Sequence, residues 1–92
     1  MIQFLVHEKA DTVGVATVDI CAGEKASGLY MDSQEPIEIE ALADIPLGHK
    51  IALKEHAVGD GVIKYGHSIG NVVAPFKTGA HVHIHNLKTA RW

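Results

Sequence analysis

The sequence predicts an all-β fold, a small domain of many short strands curled into a barrel or a folded-over clip. Three observations carry that expectation. Apolar runs are short, rich in Val and Ile, and bounded by Gly, Asp or Pro, and none keeps helical spacing over three turns. A turn signal recurs along the chain with a new β-type run close behind most copies. A length of 92 residues supports one small core and not a second, so residues 1–92 are read as a single domain.

Taken in order, strands are expected near Ile2 to Val6, Val13 to Asp19, Leu29 to Met31, Ile37 to Ala41, Lys50 to Lys54, Val62 to Tyr65, Asn71 to Ala74 and Ala80 to His85. The stretch from Glu40 to Asp44 is also compatible with one helical turn, since short apolar segments fit either period. In "PIEIEAL" the alternation sets Glu38 and Glu40 on one strand face, the solvated one. The turn signal is an apolar residue followed three positions later by glycine: Ile20-Cys21-Ala22-Gly23, Ile45-Pro46-Leu47-Gly48 and Phe76-Lys77-Thr78-Gly79, with Ala57-Val58-Gly59 as a looser copy. Glycine reverses a chain at such positions because it alone takes a positive φ without steric cost.

Composition narrows the function. With 47% apolar and 21% charged residues the chain has the make-up of a folded domain. A net charge of −3 with scattered Lys and Arg offers no basic face for nucleic acid. Cys21 is the only cysteine, so it is expected as a small buried hydrophobe in a reducing cytoplasm. The run Ile2 to Val6 is broken by Gln3 and ends at His7-Glu8-Lys9, too short and too polar for a signal peptide or a membrane span. The expected location is therefore cytoplasmic. No Cys-x-x-Cys pair, phosphate-cradling loop ahead of a helix, or Gly-x-Ser-x-Gly elbow occurs.

What remains is a row of imidazoles. In "GAHVHIHN", His81, His83 and His85 alternate with Val82 and Ile84, so an extended chain turns all three rings to one face. Two such rings start about 6.5 to 7 Å apart at Cα, from where both can reach one metal ion. Three in a row span about twice that distance, which favours two of them on one ion with a third ligand from elsewhere, His49 and His67 being the candidates. The same row also suits a polar groove bonded to water and backbone. Lys50 and Lys64 sit in otherwise aliphatic runs, where a lysine holds an acid group as a point charge, acts as a base when desolvated, or simply stays solvated. Tyr65 offers a phenolic donor.

The segments "IPLGHKIAL", "VIKYGHSIG" and "GAHVHIHN" occur in this order, and together they resemble the N-terminal SAF-type β-clip domain of altronate and galactarate dehydratases, from about His7 to Trp92. The ending "HNLKTARW" and the stand-alone length are most similar to small subunits in that family whose large portion is a separate polypeptide. The resemblance implies a lyase that removes a proton from C2 of a 2-hydroxy acid and expels a group from C3. That group is sulfite from sulfolactate or, alternatively, water from a sugar acid; a non-catalytic module docked on the large chain is the third option. It also implies a large catalytic partner, without which this chain is inactive, and a divalent metal, iron or manganese, held mainly with that partner. Carried over by position, the implied catalytic residues are His83, His85 and Lys64. Those implied for substrate are His49, Lys50, Tyr65 and Asn86, and those for metal are His81, His83 and His85.

Overall fold

The computed structural model describes the backbone of residues 2–64, 67–72, 74–83 and 87–89, and the side chains of 2–62, 70–72 and 74–83. Nine strands follow one another without a helix among the described residues: β1 (Phe4–Val6), β2 (Val13–Ala16), β3 (Lys25–Tyr30), β4 (Pro36–Glu40), β5 (Lys50–Ala52), β6 (Gly61–Lys64), β7 (His67–Val72), β8 (His81–Val82) and β9 (Leu87–Thr89). Six of them form a mixed sheet in the order β4-β3-β1-β2-β5-β8, and three form a small antiparallel sheet, β6-β7-β9. The β1–β3 pair is parallel, while every other pairing is antiparallel.

The apolar core has two parts that share a wall. Phe4, Val6, Ala16, Ile20, Ala26, Ile39, Ala41, Ile45 and Ile51 form one cluster. Val13, Ala52, Val62, Val72, Phe76 and Val82 form the other. Strands β2 and β5 supply residues to both, because successive side chains on a strand face opposite ways. Ile51 thus enters the first cluster and Ala52 the second. Phe4, fully buried, lies across β3 at Gly28, where an added Cβ would stand 2.3 Å from the ring. The glycine is what lets an aromatic ring cross this strand.

The recurring turn has one architecture in four copies. In each, the residue after the glycine donates its N–H to the carbonyl three positions back: Glu24 to Cys21, His49 to Pro46, Asp60 to Ala57 and Ala80 to Lys77. The glycine at the third position has a positive φ each time, 86°, 85°, 94° and 90° for Gly23, Gly48, Gly59 and Gly79, as a type II turn demands. The residue opening each motif pairs with another opener across an isolated antiparallel bridge, Ile20 with Ile45 and His56 with Phe76. The full fourth motif is therefore His56-Ala57-Val58-Gly59, with a histidine where the other three have Ile, Ile and Phe.

Several expectations need correction. The stretch Glu40 to Asp44 makes no helical turn: Ala41 donates its N–H to Glu24 and Leu42 to Gly79, so these amides are spent on neighbouring chain. Strand β3 begins at Lys25, earlier than its polar first residues suggested, because it pairs with β4 over five positions. β7 also starts earlier, and β9 was not anticipated. Cys21 is exposed, since Ile20 takes the inward position at the start of its turn and Cys21 falls on the outer corner. The faces of β4 are as expected: Glu38 and Glu40 are both exposed, with Ile39 buried between them.

Candidate functional site

The sheet register collects three imidazoles at the β5–β8 edge. Strand β5 pairs antiparallel with β8, Lys50 opposite Val82 and Ile51 opposite His81. Residues directly opposite share a face, and so do residues two apart on one strand. His49, two before Ile51, and His83, two after His81, therefore join His81 on one face, and the same register continued by two residues sets His49 across from His83. The rings confirm this placement. His49 stacks on His83 with centroids 4.5 Å apart and lies 5.0 Å from His81, and His81 and His83 are near-parallel at 5.7 Å. His49 Nδ1 and His81 Nε2 are 2.8 Å apart and share a hydrogen bond, one ring donating. One ligand-capable nitrogen from each of the three rings lies within 4.8 Å of the other two, and all three residues are half-buried.

Two copies of the glycine turn build this cluster. The turn Pro46–His49 ends on His49, and its Gly48 donates an N–H to Ala16 of β2. The turn Lys77–Ala80 delivers the chain to His81, and its Gly79 donates to Ala52 of β5. Gly79 also accepts from Leu42, and its Cα hydrogen faces the Glu40 carbonyl so closely that a Cβ would sit 2.0 Å from that oxygen. Val82 between the two imidazoles is completely buried in the second cluster. The inward aliphatic fixes the outward rings.

Other candidate residues fall elsewhere. Lys50 is opposite Val82, and alternation assigns it to the face away from His49; it is half-buried and has its own interactions. Lys64 lies on β6, opposite His67 in the register. Its side chain, and Tyr65, His85 and Asn86, lie outside the described residues. The cluster His49, His81 and His83 is the one group of three metal-ligating side chains among the described residues.

An apolar groove adjoins the cluster, which sequence reasoning did not anticipate. It is lined by Leu42, Ala43, Ala74, Pro75, Phe76, Ala80 and His81, with Lys77 as its one charged residue. Leu42 is 53% exposed, an uncovered leucine beside a polar site. The only hint in the sequence was an apolar pair at Leu42-Ala43 within an acidic stretch. Behind the groove His56 is buried, 2% exposed, its ring 4.6 Å from that of Phe76. His56 Nδ1 bonds the Lys54 carbonyl, and Nε2 is buried without a hydrogen-bond partner among the described residues.

A family model described as the altronate/galactarate dehydratase SAF domain matches residues 2–90. The chain is 44% identical over 92 residues to the (2R)-sulfolactate sulfo-lyase subunit alpha of Chromohalobacter salexigens, covering 99% of this chain and 98% of that one. It is 56% identical over 54 residues to the subunit of the same name from Paracoccus pantotrophus, 59% of this chain and 81% of that one. It is also 37% identical over 89 residues to the altronate dehydratase of Bacillus subtilis, 97% of this chain but only 17% of that enzyme.

Proposed function

This chain belongs to the altronate/galactarate dehydratase SAF domain family, and from that premise we propose that it is the small subunit of a two-chain lyase acting on (2R)-sulfolactate. The observation that carries the reading is co-extension. The alpha subunit of the Chromohalobacter sulfo-lyase aligns with it over 98% of its own length, whereas the altronate dehydratase match spans a sixth of a much longer enzyme. The relative's name, a subunit alpha, supports a larger partner chain, and in this reading the imidazole face with its flanking apolar groove is the surface turned towards it.

The chemistry needs a base, a way to hold enolate charge, and a dry site. Removal of the C2 proton leaves an electron pair that forms the C2=C3 bond. The C3–S bond breaks, and its electrons depart with sulfite. The resulting enol takes a proton at C3 and becomes pyruvate. A divalent metal, iron or manganese as the resemblance implies, supplies charge stabilisation at the carboxylate and 2-hydroxyl when bound. On this chain the imidazoles of His49, His81 and His83 offer ring nitrogens, for a proton or as metal ligands. His83 and His85 are the proposed catalytic imidazoles, and Lys50 or Lys64 the proposed cation for the acid group. The isolated small chain is inactive in this reading, because a half-buried cluster on a sheet edge leaves water in place until another surface covers it.

A sugar-acid dehydratase is the second reading, favoured by the 37% identity to altronate dehydratase. Both follow the same elimination and differ in leaving group. Co-expression with the large chain and a screen of (2R)-sulfolactate against C6 sugar acids, following 2-keto acid formation, separates them. Sulfite release with pyruvate supports the sulfo-lyase; turnover of a sugar acid alone replaces it with the dehydratase, and no elimination from either acid rejects both.

A further inference from the structure

We propose that His49, His81 and His83 form a transition-metal site belonging to the small chain itself, assembled by sheet register before any large chain is present. The inference stands on geometry and does not require the substrate assignment above. Three imidazole nitrogens from two neighbouring strand segments converge within 4.8 Å. In a coordination sphere with metal–nitrogen bonds near 2.1 Å, nitrogens are separated by roughly 3.0 to 3.4 Å. The 2.8 Å His49–His81 pair is already near that spacing, and a His83 ring nitrogen lies within 4.8 Å of both.

The hydrogen bond between His49 and His81 points the same way. In the metal-free form one ring must donate N–H to the other, so one proton lies where an ion would sit. Moving that proton to the ring's other nitrogen turns both lone pairs inward, at no net cost in charge. The donor set is three neutral imidazoles, which favours zinc, nickel, copper or iron over magnesium or calcium. Three protein ligands leave coordination positions open, the pattern of a site that accepts water or an oxygen ligand. The fully buried Val82 and Ile51 underneath hold the strands that carry the rings.

The site differs from the alternating row read along residues 81–85 alone. His49 comes from across the sheet as a ligand beside His81 and His83, the role for which the sequence offered it together with His67. That difference makes the test decisive.

The full chain is titrated with Co2+ at neutral pH, following visible absorption and calorimetric heat, with thermal unfolding recorded alongside. The expected result is saturable binding of one ion per chain, with d–d bands and a raised Tm. His49→Ala, His81→Ala and His83→Ala should each weaken it by about 10-fold or more, while His7→Ala leaves it unchanged. The corresponding Gln variants keep a polar side chain of similar reach and serve where an Ala variant fails to fold. Absence of saturable binding overturns the proposal. So does binding that survives loss of His49 but is abolished in His85→Ala, which would return the ion to the single-strand row.

Discussion

Gly48 and Gly79 occupy equivalent positions in two copies of one turn, with φ of 85° and 90°, yet replacing them with alanine should have unequal effects. Both variants place a Cβ in the left-handed region, at roughly 1–2 kcal/mol. Around Gly48 nothing lies within 4 Å of the new atom, so Gly48→Ala should stop at that cost. At Gly79 the Cβ would stand 2.0 Å from the Glu40 carbonyl oxygen, over an ångström inside a van der Waals contact. Relief requires moving the turn or the end of β4. That strains the Gly79–Ala52 and Leu42–Gly79 hydrogen bonds, 2.8 and 2.9 Å, in addition to an overpacking cost of about 1–3 kcal/mol. Gly79→Ala should therefore lose about 2–5 kcal/mol in all. Urea denaturation followed by circular dichroism measures both, compared at equal m-value. Equal losses for the two variants would refute the reasoning, because they would show that the 77–80 turn is not clamped against β4.

His56→Phe should fold with stability within about 1 kcal/mol of the parent, because relief of a buried nitrogen that has no partner among the described residues offsets loss of the Nδ1 bond to the Lys54 carbonyl, while an aromatic ring stays against Phe76; a loss above roughly 2 kcal/mol in thermal or urea unfolding would mean that Nε2 is satisfied. Leu42→Glu should leave stability nearly unchanged, within about 0.5 kcal/mol, and reduce co-purification with the large chain, since it charges the groove beside His81. Unaltered co-purification would remove that groove from the interface. The Glu24 carboxyl is held below its ordinary range by the Cys21 N–H first and the Gln3 side-chain amide second. Its contribution to stability is thus present above the unfolded-state value and lost as pH falls through the lower folded value. Glu24→Gln should flatten that acid limb slightly, the group being fully solvent-exposed, and a stability–pH profile identical to the parent's would contradict it.

Much of the fold was legible because it is local. Glycine three residues after an apolar side chain, repeated along the chain, marked the turns, and the alternation in "PIEIE" gave β4 its faces. His56 hid the fourth copy of the turn, since a histidine does not read as an inward residue, although its pairing with Phe76 gives it that place. β3 was cut short for a similar reason: Lys25, Ser27 and Gly28 lack strand character and are held by pairing with β4, Gly28 also with β1. In the site, the shared face of His81 and His83 followed from period two. That His49 stands opposite His83 depended on the β5–β8 register, and no local pattern encodes which distant strand lies alongside. Lys50 falls on the face away from His49 by simple alternation, and the same non-local pairing sets it opposite Val82. Leu42 and Phe76 meet in a groove only because the 77–80 turn is tied to the end of β4.

The central claim is that this chain gives imidazoles to a centre completed by a large partner. The most direct measurement is sulfite release from (2R)-sulfolactate by the reconstituted pair, with complex formation checked in parallel for parent, His49→Ala and His83→Ala small chains. The expected result is no turnover by either chain alone, full turnover by the parent pair, and a fall of about 100-fold or more in kcat for each variant in a complex that still forms. Near-parental turnover by both variants, or by the large chain without its partner, would contradict the account.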